Sequence, residues 1–301
     1  MTLVLSHTLV ASNAHAPQRW LVILHGAFGA GRNWGTIARR LAQVRPEWGV
    51  VLADLRMHGA SQGFPPPHTL EAAAADVDVL GRSLRVPFDA ALGHSLGGKI
   101  ALLYAARHAA ALRQVWLVES TPDAGPPAGS AWQMLRAVRS LPAQFASRQE
   151  AAEGLAQLGF APDVARWMTT NLESSDGRFR WRLDFDALED LLRDFFQTDL
   201  WSTVLDPPAG VALHVIKASE SEVLSKEAIR RLDGVPATHR ACLHVVPGGH
   251  WIHADNPEEV VRCSHVISPS CSTPVPTRPE AAGRVPRARA RRGRAPPARV
   301  A

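Results

Sequence analysis

The sequence predicts an α/β protein, a mostly parallel sheet flanked by helices with a helical cap inserted between two strands. Three observations predict it. Short, nearly continuous apolar runs recur at 21–24, 50–53, 90–92, 115–118, 213–216 and 243–246, as strands buried on both faces require. Between most of them lie longer stretches with apolar residues at helical spacing, the alternation from which parallel sheets are built. The interval 121–210 breaks that alternation: it opens on a Pro/Gly-rich hinge and continues in helix-like segments without a clear strand.

In chain order, residues 2–11 read weakly as one or two edge strands. The strand at 21–24 is followed by a glycine-rich loop and a helix over 34–44, and the strand at 50–53 leads to a helix over 70–84. The strand at 90–92 runs into a helix over 97–108, and 115–118 closes the first half. Helical segments at 131–141, 148–158, 162–172 and 185–196 fill the interval, and their aromatics, Trp132, Trp167 and Phe195 among them, are available to wall a site. The strands at 213–216 and 243–246 and a helix over 257–266 complete the body. The expected organisation is a core in two parts, 1–120 and 211–267, a cap over 121–210, and a tail over 268–301.

Composition narrows the class. The 301 residues are 46% apolar and 20% charged, which excludes collagen-like and fully disordered chains. No window reaches the roughly 18 uncharged apolar residues of a membrane-spanning helix, and the first 20 residues lack the basic and apolar regions of a secretory signal, so a cytoplasmic protein is expected. Cys242, Cys263 and Cys271 show no Cys-x-x-Cys spacing, so reduced thiols are expected and neither a zinc knuckle nor a disulfide framework is. The net charge of +5 is concentrated in the tail, where residues 268–301 hold eight arginines against Glu280 alone. Outside that segment, 25 basic residues face 27 acidic ones. With seven prolines and no Ile, Leu, Phe, Met or Trp, the tail buries too little apolar surface to offset chain entropy and is expected to be disordered. It is either a basic arm for nucleic acid or anionic lipid or an inert extension.

The chemical signal is Gly93-His94-Ser95-Leu96-Gly97, set between a strand and a helix. A G-x-S-x-G arises by chance about once in ten chains of this length, so the flanking elements carry the weight. In a tight strand-to-helix turn the flanking glycines remove Cβ clashes and the serine hydroxyl stands exposed at the helix N-terminus. A serine nucleophile requires a base, an orienting acid and oxyanion donors. His250, just past the strand at 243–246, is placed to reach over the sheet, whereas His253 reads as packing or capping the next helix. The oxyanion donors are the Leu96 N–H and, from the loop His25-Gly26-Ala27-Phe28-Gly29, the Ala27 N–H. That loop lacks both phosphate-cradling patterns, and no metal or organic cofactor is implied.

Four motifs together resemble the α/β-hydrolase superfamily: His25 to Gly29, Asp54-Leu55-Arg56-Met57-His58-Gly59-Ala60-Ser61, Gly93 to Gly98, and Gly249-His250-Trp251-Ile252-His253-Ala254-Asp255-Asn256-Pro257. Within it the chain is most similar to the small serine esterase branch of bacterial short-acyl and acyl-CoA esterases and α/β-hydrolase domain-containing protein 11, which the phrase from Phe179 to Leu188 also fits. The resemblance implies the α/β-hydrolase fold and a serine hydrolase acting on a small carboxylic ester or thioester through an acyl-enzyme. The acid is open. Much of the superfamily carries it after the strand at 213–216, which nominates Glu220 or Glu222. The branch instead places it after the preceding strand, which implies Glu119 where most relatives have Asp, with Ser221 matching a supporting serine.

Two rivals stand beside the esterase. A cofactor-free lyase of the menaquinone-pathway type has a similar serine turn and would use Arg32 or Arg136 for an anionic substrate; a ligand-binding protein would keep only a residual hydrolase site. Oligomeric state is not legible. Truncation before Ser268 is expected to leave the melting temperature and ester turnover unchanged; a drop of several degrees would show that the tail docks on the body.

Overall fold

Alternate residues of each central strand face opposite ways, and in this chain both faces are apolar. The computed structural model describes residues 3–13, 16–108, 111–235 and 241–265. The expectations for the basic tail therefore fall outside the described residues. Five strands form the first half: β1 (His7–Val10), β2 (Arg19–Leu24), β3 (Trp48–Ala53), β4 (Ala90–His94) and β5 (Gln114–Val118). Three short strands follow, β6 (Gln144–Phe145), β7 (Leu172–Ser175) and β8 (Arg178–Trp181), then β9 (Ala212–Ala218) and β10 (Ala241–Val246). The main sheet has the order β1-β3-β2-β4-β5-β9-β10, with β1 antiparallel and every other neighbouring pair parallel.

The connecting helices are α1 (Gly35–Val44), α2 (Leu70–Leu84) and α3 (Leu96–His108) before the insertion, and α9 (Lys226–Asp233), α10 (Ile252–Asp255) and α11 (Pro257–His265) after it. Between them the insertion holds α4 (Gly129–Ser140), α5 (Arg148–Gln157), α6 (Pro162–Met168), α7 (Phe185–Gln197) and α8 (Trp201–Leu205). Val22 and Leu24 of β2 pack on one side with Ile100 and Leu102 of α3, while Leu21 and Ile23 pack on the other with Ile37 and Leu41 of α1 and Val260 of α11. The α/β architecture expected from the strand pattern is thus present. It also positions a site. β3 and β4 lie on opposite sides of β2, and α1 and α3 leave on opposite faces, so a crevice opens at the carboxyl ends of β2 and β4.

The insertion departs from the expectation that it holds no strand. β6, β8 and β7 form a small antiparallel sheet, with β7 and β8 joined through Asp176-Gly177, both at positive φ (52° and 76°). An Asp-Gly loop of two residues is the local signature of a type I′ hairpin. The helix expected over 162–172 ends at Met168, because residues Thr169–Asn171 tighten into a 3₁₀ turn and Leu172 enters β7. Side-chain caps set the starts of α5 and α7, where Ser147 and Asp184 accept backbone N–H bonds.

One buried cation fastens the insertion. The Lys99 ammonium, without exposed surface on α3, donates to the carbonyls of Asp123, Phe195 and Thr198, each at 2.7 Å. Burial pushes its pKa down to about 8. Three acceptors satisfy its three protons. No helix of the described residues is long and apolar enough to cross a membrane. Among the described residues, the Cys263 thiol is free and buried.

Buried histidines make the fold sensitive to acid. His214 stacks on Trp116 with centroids 3.9 Å apart and shares a hydrogen bond of 3.1 Å with His244, so one ring donates and the other accepts. Burial and the neighbouring His244 lower the His214 pKa to about 3, and burial lowers that of His58 to about 4. A ring that protonates at 6.5 when unfolded and at 3 to 4 when folded binds more protons unfolded, so stability is full above pH 6.5 and is lost as pH falls below it. The melting temperature is expected to hold between pH 7 and 8 and to drop between pH 6.5 and 4.5, as each such ring removes up to about 1.4 kcal/mol of stability per pH unit. His214→Leu should flatten that slope, as measured by calorimetry.

Candidate active site

Four turns at the carboxyl ends of the parallel strands build the site. Ser95, at φ 51°, stands between β4 and the N-terminus of α3. The turn is held by Ser95 N–H to the Val118 carbonyl (3.0 Å), and Ser120 Oγ donates to the Ser95 carbonyl (2.7 Å). Its flanking glycines are sterically required: a Cβ on Gly93 would lie 1.9 Å from the Gly97 carbonyl oxygen, and one on Gly97 would lie 2.4 Å from that of Leu24. A non-glycine residue in the left-handed region costs about 1 kcal/mol or more, and such residues cluster at functional turns. Phe28 (61°) and Glu119 (50°) share that conformation here.

The loop after β2 is shaped by a histidine. His25 Nδ1–H donates to the Gly26 carbonyl at 2.8 Å, and its Nε2 accepts the Leu55 N–H at 3.0 Å, which requires the neutral ring. Burial, with His58 beside it, holds the His25 pKa well below the usual value. The turn closes with Gly29 N–H on the Gly26 carbonyl, and Asn171 of the insertion donates to the Phe28 carbonyl at 2.9 Å. Among the described residues, neither the Ala27 nor the Leu96 amide donates in the backbone bonds of turns and loops. Leu96 opens α3, so its N–H also has no helical acceptor.

Glu119 is completely buried at the end of β5. Its Oε1 accepts the Ala218 N–H of β9 at 2.6 Å, and its Oε2 lies 3.2 Å from His250 Nδ1. A Nδ1–H held by a carboxylate leaves the Nε2 lone pair of His250 available on the far side of the ring. Glu220 and Glu222 are exposed, and among the described residues neither bonds His250. Ser221 is not brought to His250; its Oγ accepts the Val223 N–H at 3.3 Å. His253 stacks on Trp34 with centroids 4.9 Å apart, and burial followed by His250 lowers its pKa to about 4. Ser95, His250 and Ala27 line one cavity of about 690 Å³, closed over by residues of α4 and α6 in the insertion. Among the described residues no group of three or more His, Cys, Asp or Glu could hold a metal ion.

The chain as a whole has counterparts in known proteins. The family model described as "Alpha/beta hydrolase family" matches residues 21–263. The chain belongs to the alpha/beta hydrolase family. Family relatives include the sn-1-specific diacylglycerol lipase ABHD11 of Mus musculus, 29% identical over 265 residues that cover 85% of this chain and 82% of the relative. Another is Esterase YbfF of Escherichia coli (strain K12), 24% identical over 252 residues, 80% of this chain and 90% of the relative. Among solved family structures, a marine microorganism esterase superposes with a TM-score of 0.75 at 24% identity, covering 88% of this chain and 99% of that one. The resemblance to this branch read from the motifs is thereby borne out.

The motifs did not disclose the part played by His94 in this family member. Its Nε2–H donates to the His250 carbonyl at 2.8 Å, and its ring centroid lies 4.8 Å from that of His250. The signal was inside the motif, but only the fold brings the serine turn within reach of the histidine loop. The geometry separates the candidate acids: Glu119→Gln should lower ester turnover by roughly 10⁴, since an amide neither fixes the His250 tautomer nor stabilises its cation. Glu220→Gln and Glu222→Gln should each stay within about threefold of wild type in kcat; equal small losses in all three would remove Glu119 from the assignment.

Proposed function

We propose that this family member is a serine hydrolase that cleaves a small carboxylic ester or thioester through an acyl-enzyme. The observation that carries the reading is the pair formed by His250 Nδ1 and the buried Glu119 carboxylate, beside a cavity that Ser95 also lines. His250 Nε2 takes the Ser95 hydroxyl proton as Oγ attacks the carbonyl carbon. The Ala27 and Leu96 amides receive the negative charge on the former carbonyl oxygen, at the positive end of α3. The tetrahedral intermediate expels the alcohol or thiol, which takes its proton from His250. Water, deprotonated by the same ring, then attacks the acyl-enzyme, and collapse releases the carboxylic acid and restores Ser95. The ester-cleaving names of the relatives support this reaction, and the segment over 121–210 acts as the cap that walls the acyl group. This chemistry calls on no cofactor.

The lyase alternative expects its acid after β9, and Glu220 and Glu222 stand exposed there without a bond to His250. The receptor-like alternative has no observation in its favour. Ser95→Ala should leave the melting temperature within about a degree and abolish hydrolysis of p-nitrophenyl esters and acyl thioesters, a loss on the order of 10⁶. A fluorophosphonate probe should label the wild-type chain at Ser95 and nowhere else. Activity surviving within tenfold would refute the assignment.

A further inference from the structure

The cavity beside Ser95 has an uneven charge. Its lining includes no Asp, Glu or Lys and a single guanidinium, that of Arg136 on α4. His25, His94 and His253 also line it, and burial keeps all three neutral at physiological pH. Met134, Phe160, Val164 and Trp167 make the walls between α4 and α6 apolar.

The α4 helix distinguishes its two arginines. Arg139 points away from the cavity and is neutralised by Asp186 and Glu189 of α7. Arg136, one helical turn earlier, borders the cavity and is exposed, and among the described residues its side chain makes neither an ion pair nor a hydrogen bond. Three residues before it and therefore adjacent on the helix surface, Gln133 also lines the cavity without a side-chain bond. Two donor groups thus stand together at the rim of an apolar cavity from which carboxylates are missing, the arrangement that recognises a carboxylate or phosphate.

We propose that Arg136, assisted by Gln133, binds an anionic group of the substrate, so that the enzyme selects esters or thioesters carrying a carboxylate or a phosphate beyond an apolar spacer. This rests on the esterase reading and narrows its substrate class. The scissile carbonyl lies at Ser95, the spacer runs along the α4 and α6 walls, and the anion sits at the solvent-facing rim. A neutral glyceride would leave the guanidinium without a partner.

Two matched pairs of substrates test it and distinguish the anion's source. Mono-p-nitrophenyl adipate against p-nitrophenyl hexanoate places the charge on the acyl end. Butyryl-coenzyme A against S-butyryl-N-acetylcysteamine places it on the leaving group. The wild type should favour the charged member of at least one pair by about tenfold in kcat/KM, chiefly through KM, with the preference shrinking between 50 and 500 mM salt. Arg136→Met should erase that preference with far less effect on the neutral member, and Arg136→Lys should restore part of it. No preference in either pair, or an equal loss on charged and neutral members in Arg136→Met, overturns the proposal. If none of the four substrates turns over, the esterase reading itself has failed, and calorimetric titration of adipate and coenzyme A decides separately: binding lost in Arg136→Met keeps the anion site, and absence of binding to wild type removes it.

Discussion

A carboxylate with no exposed surface must have both oxygens satisfied, and the arrangement of Glu119 follows from that requirement. One oxygen takes the Ala218 amide of the neighbouring strand, the other faces His250. Its backbone adopts φ 50° at the end of β5. The Glu119 N–H is itself tied to the Ile216 carbonyl, so β9 grips this residue twice, by backbone and by side chain. The imidazole is thereby referenced to the central sheet.

The other strand-end turns serve the same end by different means. His25 is locked by a donor bond and an acceptor bond, each demanding the neutral ring. His94 spans from the serine turn to the His250 carbonyl, so two of the four turns are linked through an imidazole that stays uncharged. Under the proposed reaction neutrality matters, because a second imidazolium beside His250 would oppose the charge that proton transfer would place there.

The parallel sheet was legible because strands such as 21–24 and 115–118 are apolar at every position, the signature of burial on both faces. Boundaries moved by one or two residues, in places where polar ends, such as Arg19 and Gln114, still join the ladder. The small sheet of the insertion was missed although Asp176-Gly177 announces its hairpin, because the surrounding helical spacing dominated and β6 has only two residues. Ser95 and His250 could be named from their motifs, each following a strand. The acid could not, since β5 and β9 are neighbours in the sheet and their carboxyl ends both lie beside His250; which of them supplies the carboxylate depends on register and side-chain reach, which no local pattern encodes. His94 and Arg136 gained meaning only from what the fold sets against them.

The Lys99 tripod constrains how a ligand enters. Its ammonium grips Asp123 at the start of the inserted segment and Phe195 and Thr198 near its end, and it belongs to the helix that begins one residue after Ser95. Lifting the whole insertion as a rigid flap would break three charge-assisted bonds at once and drag the serine turn with it. Both roots of the inserted segment are thus tied to the helix that opens beside Ser95, and the position of its walls is set from the same element as the serine turn.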